Sequence, residues 1–308
     1  MAVRAMLSQI GAPGDRRAAD GAQAADGWAS SGIGVTLLAI DGVLIAAGAV
    51  VLLWWAWRWR RSGGGDPLAG VARRRNAVVP ELLLIPLGIY LVTSLAWGGF
   101  HRPEPTGVIS HTTQITIGNA AQLAGLVACL WIASRTFPAG IRGFLLGSRG
   151  GGYALAPIGL MFLAVLCVCN VLVWITSAVM TMLRHPIPTH PTLIALAEES
   201  PSLGTTVVLC AGAVVIAPLA EECFFRGLLQ SAVANLVGSR WTAIGVTAAA
   251  FAVMHSDQPH AVPPLAALAV LLGYAYERYG SLAAPILLHV AFNLRTIVWQ
   301  LLLNAASA

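Results

Sequence analysis

The sequence predicts an all-α, polytopic integral membrane protein, a helical bundle of about eight transmembrane segments. Three observations lead there. The 308 residues are 57% hydrophobic and only 10% charged, where a soluble domain carries about 25% charged residues. Mean hydropathy is +0.75. Apolar runs long enough to cross a hydrocarbon core of about 30 Å recur along the chain, separated by short loops that carry arginine. The formal charge of +5 owes nothing to lysine, which is absent. The arginines crowd into short loops, where they report topology, so the basic balance implies no nucleic-acid partner. The Ala/Gly/Arg bias suggests a GC-rich bacterial genome, and with it a bacterial cytoplasmic membrane.

Residues 1–32 are rich in Ala, Gly, Asp and Ser and are expected to be a disordered tail. No apolar core of 7–15 residues follows the early arginines, so they do not read as a secretory signal. Residues 33–183 hold four spans of unassigned role. The first covers Ile33 to Trp57 and ends in a belt of Trp54, Trp55, Trp57 and Trp59, as expected at headgroup depth. Asp41 inside it is expected near the outer end, or ahead of a later helix start. Arg58, Arg60, Arg61, Arg73, Arg74 and Arg75 place the following loop in the cytoplasm, with binding of anionic lipid as a possible addition.

A second span covers Pro80 to Gly99, with a kink expected at Pro86. An outer loop follows, with His101 and His111, then a third span from Thr113 to Ala133. The loop 134–152, with Arg135, Arg142 and Arg149, returns to the cytoplasm. The fourth span lies within Tyr153 to Leu183, too long for one straight crossing, so part of it should be tilted or interfacial. Residues 184–203 form a proline-rich outer loop. His185 and His190 lack the i,i+4 spacing of a helical metal site and read as exposed loop histidines.

The fifth span begins near Gly204 and runs into Ala-Pro-Leu-Ala-Glu-Glu-Cys-Phe-Phe-Arg at 217–226. Each charge at a membrane helix centre costs roughly 2.5–3.5 kcal/mol, so Glu221, Glu222 and Arg226 should face the bundle interior or water, and such residues mark function. Glu222 and Arg226 are i,i+4 and can pair. Glu221 points about 100° away and lacks an obvious local partner. A salt-bridged surface at headgroup depth is the bland alternative. A sixth span covers Trp241 to His255, a polar turn follows, and a seventh runs from Pro263-Pro264 to Tyr276. The last apolar segment, Leu282 to Leu303, contains Pro285, His289, Asn293 and Arg295 and is expected to be broken or partly re-entrant. No internal repeat is visible, which disfavours an inverted-repeat transporter. The five cysteines, Cys129, Cys167, Cys169, Cys210 and Cys223, all fall in or beside apolar segments and read as small buried side chains.

The polar residues within the apolar half recur at helical spacing. Phe251 and His255 are i,i+4, so ring and imidazole can pack together. His289 and Asn293 are i,i+4 and share a face. Two chemistries fit this set. In one, Glu221 is a general base that activates water with the help of His255, while His289 and Asn293 donate to the oxyanion of an amide-hydrolysis intermediate. In the other, Glu221, His255 and His289 bind zinc and leave a water position open. The His-Glu-x-x-His signature is absent, and no cofactor is firmly implied.

Glu-Glu-x-x-x-Arg at 221–226, Phe-x-x-x-His at 251–255 and His-x-x-x-Asn at 289–293, in that order, resemble the CPBP family of CAAX proteases and bacteriocin-processing enzymes, also called type II CAAX prenyl endopeptidases or Abi proteins. The resemblance covers about residues 195–300. It implies an intramembrane endopeptidase with a catalytic cavity open to the cytoplasmic side. Glu221 then resembles the catalytic glutamate and His255 its water-activating partner. His289 and Asn293 resemble the oxyanion-stabilising pair, and Glu222, Arg226 and Phe251 match supporting positions. Arg295 lies outside the motif and is expected to snorkel to an interface. The implied substrate is a membrane-associated, possibly lipidated, protein or peptide within the lipid bilayer. A non-catalytic scaffold or bacteriocin-immunity protein, and a proton-coupled transporter, are the alternatives from other classes.

Overall fold

The computed structural model describes residues 32–71, 76–100, 111–147, 155–188, 190–197 and 202–307. The expected tail at 1–31, Arg73 to Arg75, His101, Arg149 and the side chain of His111 lie outside the described residues. The described residues are helical, with no strand among them. We number the helices α1 (Gly32–Arg61), α2 (Leu84–Phe100), α3 (His111–Thr136), α4 (Gly140–Leu146), α5 (Leu155–Met182), α6 (Pro191–Ala197), α7 (Leu203–Val237), α8 (Arg240–Val253), α9 (Val262–Tyr279) and α10 (Ala283–Ser307). Five of them, α1, α3, α5, α7 and α10, are long and apolar enough to cross a membrane, and α2 and α8 are shorter apolar helices. Exposed Val43, Leu53, Val92, Val127 and Ile175 give these helices the apolar outer surface that lipid requires. At the end of α1, Arg61 sits 4.3 Å from the centre of the Trp57 ring, a cation–π contact within the aromatic belt.

Several segments differ from the sequence reading. Pro86 falls in the first turn of α2, after a 3₁₀ turn at Pro80–Leu83, so the proline helps to start the helix instead of kinking its middle. α5 is one helix of 28 residues, about 42 Å long at 1.5 Å per residue, longer than a straight crossing needs, as the sequence reading had it. α10 is unbroken over 25 residues. Pro285 sits in its first turn, where no intrahelical N–H is needed. The loops at 134–152 and 184–203 contain the short helices α4 and α6.

The first four long helices enclose the second half. α1 packs on α5, α2 on α3, α3 against α7, and α5 against α9 and α10. Asp41 does not stand ahead of the helix, and 22% of its side chain stays accessible. It lies within α1 and pairs with Arg295 of α10, whose guanidinium also sits 4.9 Å from the Trp299 ring centre. Arg295 therefore crosses to a carboxylate of the first span and does not snorkel. All five cysteine sulfurs are free, and every cysteine but Cys210 is buried.

One end of the bundle is tied by polar contacts between many elements. Asn235, near the end of α7, donates to Asn76 and to the Val78 carbonyl. Arg240, at the start of α8, donates to the Val71 carbonyl at 2.6 Å, and Trp241 donates to Asp66. Ser281 and Leu282, between α9 and α10, donate to the Leu145 carbonyl of α4. The α7–α8 turn is closed by Gly238 at φ 73°, a left-handed position that favours glycine. Phe144 of α4, fully buried, lies against Gly227 of α7 so closely that a methyl group at 227 would overlap its ring.

Gly227→Ala should therefore destabilise the protein by about 1–3 kcal/mol through overpacking. Gly118→Ala, where added atoms meet nothing within 4 Å, should leave stability unchanged or slightly raised. Thermal unfolding of the two variants in detergent checks this pair.

Candidate active site

α7 carries the two carboxylates, and its local irregularity sets their directions. Its helix is interrupted by two π segments, Gly212–Ile216 and Cys223–Gln230. Single π turns inside α-helices often occur at functional sites. In the first, the Ala217 N–H reaches back five residues to the Gly212 carbonyl. The next donor in that register would be Pro218, which has no N–H. The Ala213 carbonyl is therefore left over, and Asn293 of α10 donates to it at 2.8 Å. One amide hydrogen of Asn293 thus holds α10 against the π turn, and the second N–H of the same group is not used by that bond. Pro218 was the sequence signal for this irregularity, read above only as part of the apolar run.

Glu222 is fully buried and Arg226 is 1% exposed. They form the i,i+4 pair expected from spacing, at 2.7 Å. The guanidinium also donates to the Ala269 carbonyl of α9 at 3.3 Å and lies 4.9 Å from the Phe251 ring centre. The same Glu222 oxygen accepts from His289 Nδ1 at 2.9 Å. Two buried cationic or polar donors thus converge on one carboxylate oxygen. A buried charge needs this arrangement, since an isolated one is far too costly to desolvate.

His289 is the link to Glu221. With Nδ1 committed to Glu222, its Nε2 faces the Glu221 carboxylate at 3.8 Å, beyond a hydrogen bond but close enough for electrostatic attraction. Glu221 is enclosed by protein and within electrostatic reach of both His289 and His255, yet 20% of its side chain is accessible. His255 lies just past the end of α8. Its Nδ1 donates to the Phe251 carbonyl at 2.9 Å when the ring is in the tautomer that leaves Nε2 as an acceptor. Phe251 stands between the histidines, with ring centres 4.8 Å from His255 and 5.9 Å from His289. Phe225 adds an edge-to-face contact to Phe251 at 5.2 Å.

The structure therefore brings Glu221, Glu222, Arg226, Phe251, His255, His289 and Asn293 together from α7, α8 and α10. It also adds a residue read from sequence as a plain loop histidine. His190, at the start of α6, is exposed and lies within electrostatic reach of His255 and Asp257. Its ring accepts from the Thr192 N–H at 3.1 Å. Surrounding protein holds its pKa below the usual histidine value, with Asp257 pulling the other way. Sequence spacing gave no hint of this, because 65 residues separate His190 from His255. Among the described residues no group of three His, Cys, Asp or Glu side chains gathers closely enough to hold a metal ion.

Residues 203–295, from α7 to the middle of α10, match the family described as type II CAAX prenyl endopeptidase, Rce1-like, a match consistent with the CPBP resemblance. No curated protein matches the chain, and no solved structure does.

The two neighbouring glutamates should respond differently to substitution. Glu222→Ala leaves Arg226 buried without its partner and should cost about 3–5 kcal/mol. Glu221→Gln removes an accessible carboxylate outside that pair and should shift the melting temperature far less. Melting curves of both variants in the same detergent test this contrast.

Proposed function

We propose that this Rce1-like membrane protein is an intramembrane endopeptidase. In this reading it hydrolyses a peptide bond of a membrane-associated, possibly lipidated, protein or peptide, using water activated by Glu221 and His255. One observation carries the proposal. Of Glu221, Glu222, Arg226, Gln230 and Ser231 along α7, Glu221 alone stays appreciably accessible, and both histidines of the motif bear on it.

The hydrogen bonds support the following assignment of roles. Glu221 takes a proton from the attacking water, whose oxygen forms the new bond to the scissile carbonyl carbon. His255 Nε2, left free by the bond from Nδ1 to Phe251, accepts a hydrogen bond that orients that water, and Glu221 then delivers the proton it took to the amide nitrogen as the C–N bond breaks. In its imidazolium form His289, with Nδ1 held by Glu222, donates from Nε2 to the oxyanion. Asn293 supplies its remaining N–H to the same oxyanion, fixed in direction by Ala213. Glu222, Arg226 and Phe251 hold His289 and His255 in place and do not touch the substrate. The Phe251 ring, set against Arg226, His255 and His289, joins α7, α8 and α10.

Purified protein in detergent should cleave a quenched peptide library that includes prenylated CAAX peptides. Glu221→Gln and His255→Ala should each lower kcat/KM by about 10²–10⁴, the range for loss of a general acid–base group, with zinc chelators without effect. Equal cleavage by wild type and both variants would remove the endopeptidase reading and favour a non-catalytic scaffold.

A further inference from the structure

Along α7, Glu221 lies between two buried apolar clusters, and α3 spans the gap between them. The first cluster holds Ala195, Leu196, Leu209 and Ile297, with Ile115 of α3 packed against it. The second holds Cys129, Ile132, Cys223 and Leu228, with Leu126 of α3 packed against it. α3 therefore runs beside α7 in the same direction, with Ile115 level with Leu209 and Cys129 with Cys223. Residues 115, 119, 122, 126 and 129 follow spacings of four and three and so share one face of α3. The positions of that face between the clusters are Asn119 and Gln122, each half-buried. Neither belongs to the three motifs.

Asn119 lies against Gly212 of α7 so closely that a methyl group at 212 would overlap its amide. Gly212 opens the π turn whose spare Ala213 carbonyl is taken by Asn293. Gln122 is one turn further along α3, beside the part of α7 between Gly212 and Cys223, and α3 packs on Ala217–Glu222. Glu221 is nine residues beyond Gly212, about 13 Å along the axis, the reach of about four residues of extended chain. Its side chain leans back toward the level of Gln122, because helix side chains tilt toward the N-terminus. Asn119 Nδ2 and Gln122 Oε1 are both buried here and find no hydrogen-bond partner among the described residues. One is a donor and the other an acceptor, one turn apart, and they do not pair with each other. A buried polar group left in this way is destabilising, and polar side chains kept inside a membrane bundle mark function.

We propose that Asn119 and Gln122 form a subsite for the substrate main chain, in which Asn119 Nδ2 donates to a peptide carbonyl and Gln122 Oε1 accepts from a peptide N–H, within about four residues of the scissile bond. An unpaired donor beside an unpaired acceptor is the complement of peptide backbone, which offers one C=O and one N–H per residue. Recognition of this kind draws affinity from the main chain and leaves side-chain choice to the neighbouring walls. It gives α3, which lies outside the matched segment 203–295, a part in substrate binding. The subsite rests on the endopeptidase reading. Asn119 and Gln122 hold the peptide and take no part in proton transfer.

The test uses the full chain in detergent and a quenched prenylated CAAX peptide that wild type cleaves and Glu221→Gln does not. Analogues of that peptide carry an ester oxygen in place of one N–H at a time, never at the scissile bond. Wild type should cleave one of the esters within four residues of that bond about tenfold less well than the amide, through a higher KM. Gln122→Met, close in volume but without the acceptor, should raise KM for the amide peptide about tenfold with kcat held within about threefold. It should no longer distinguish that ester from the amide. Asn119→Leu should raise KM by a similar factor and keep the ester preference of wild type. Gln122→Met should also melt at or above the wild-type temperature, because an apolar side chain replaces a buried unpaired acceptor. A purely structural glutamine predicts the reverse, a lower melting temperature with KM unchanged. Ester discrimination that persists in Gln122→Met overturns the subsite. So does a wild type that treats every ester as it treats the amide, a result that needs no variant to accumulate. Unchanged KM in folded variants of an enzyme that still depends on Glu221 removes the subsite alone. No cleavage by wild type, or equal cleavage by Glu221→Gln, removes the endopeptidase reading and the subsite with it.

Discussion

The architecture of the second half depends on one buried carboxylate, Glu222. It accepts from Arg226 within its own helix and from His289 of α10, with no exposure to solvent. Such a pair has little net value against an apolar core of the same shape, because desolvating the charges offsets their attraction. Its consequence lies in geometry. Any relative shift of α7 and α10 would strand a charge, so the register between these helices is narrowly fixed. The Arg226 guanidinium, set against Phe251 and the Ala269 carbonyl, extends the same constraint to α8 and α9. Four helices are thereby held around a group that is not part of the pair, the Glu221 carboxylate.

A second polar tie, Asn293 to the Ala213 carbonyl, acts at a different height on the same two helices. It exists because Pro218 cannot supply the N–H that the π register requires. A defect in the backbone ladder of α7 is thus turned into an interhelical contact that aims a site residue. Asp41 and Arg295 make a third link, from α10 out to the first span. The early helices are in this sense part of the frame of the site, since α3 backs α7 and α1 and α5 back α10.

The sequence disclosed those parts of this arrangement that are local. Helix positions, the Glu222–Arg226 pair and the Phe251–His255 stack all follow from spacings of four residues and from apolar runs. The assembly of three short motifs into one site followed from resemblance. What periodicity does not encode is contact between distant segments. Asp41 looked like a misplaced end residue because its partner lies 254 positions away. Arg295 looked like a snorkelling side chain for the same reason. His190 read as loop surface and is exposed, while the electrostatic reach of His255 is not visible in its sequence neighbourhood. The unbroken course of α10 was misread because Pro285 was weighed as a breaker, whereas its effect depends on where the first turn begins.

Glu221 and Glu222 show how such a frame can divide labour between identical side chains. Adjacent residues on a helix differ by about 100° in direction, so one carboxylate enters the interhelical contact and the other must leave it. A single glutamate would have to serve both as counter-ion to Arg226 and as an acceptor for protons, and each proton it took would leave the arginine uncompensated. With two, protonation of Glu221 leaves the Glu222–Arg226 charge balance intact, and His289, bonded to one and facing the other, carries the positional information between them.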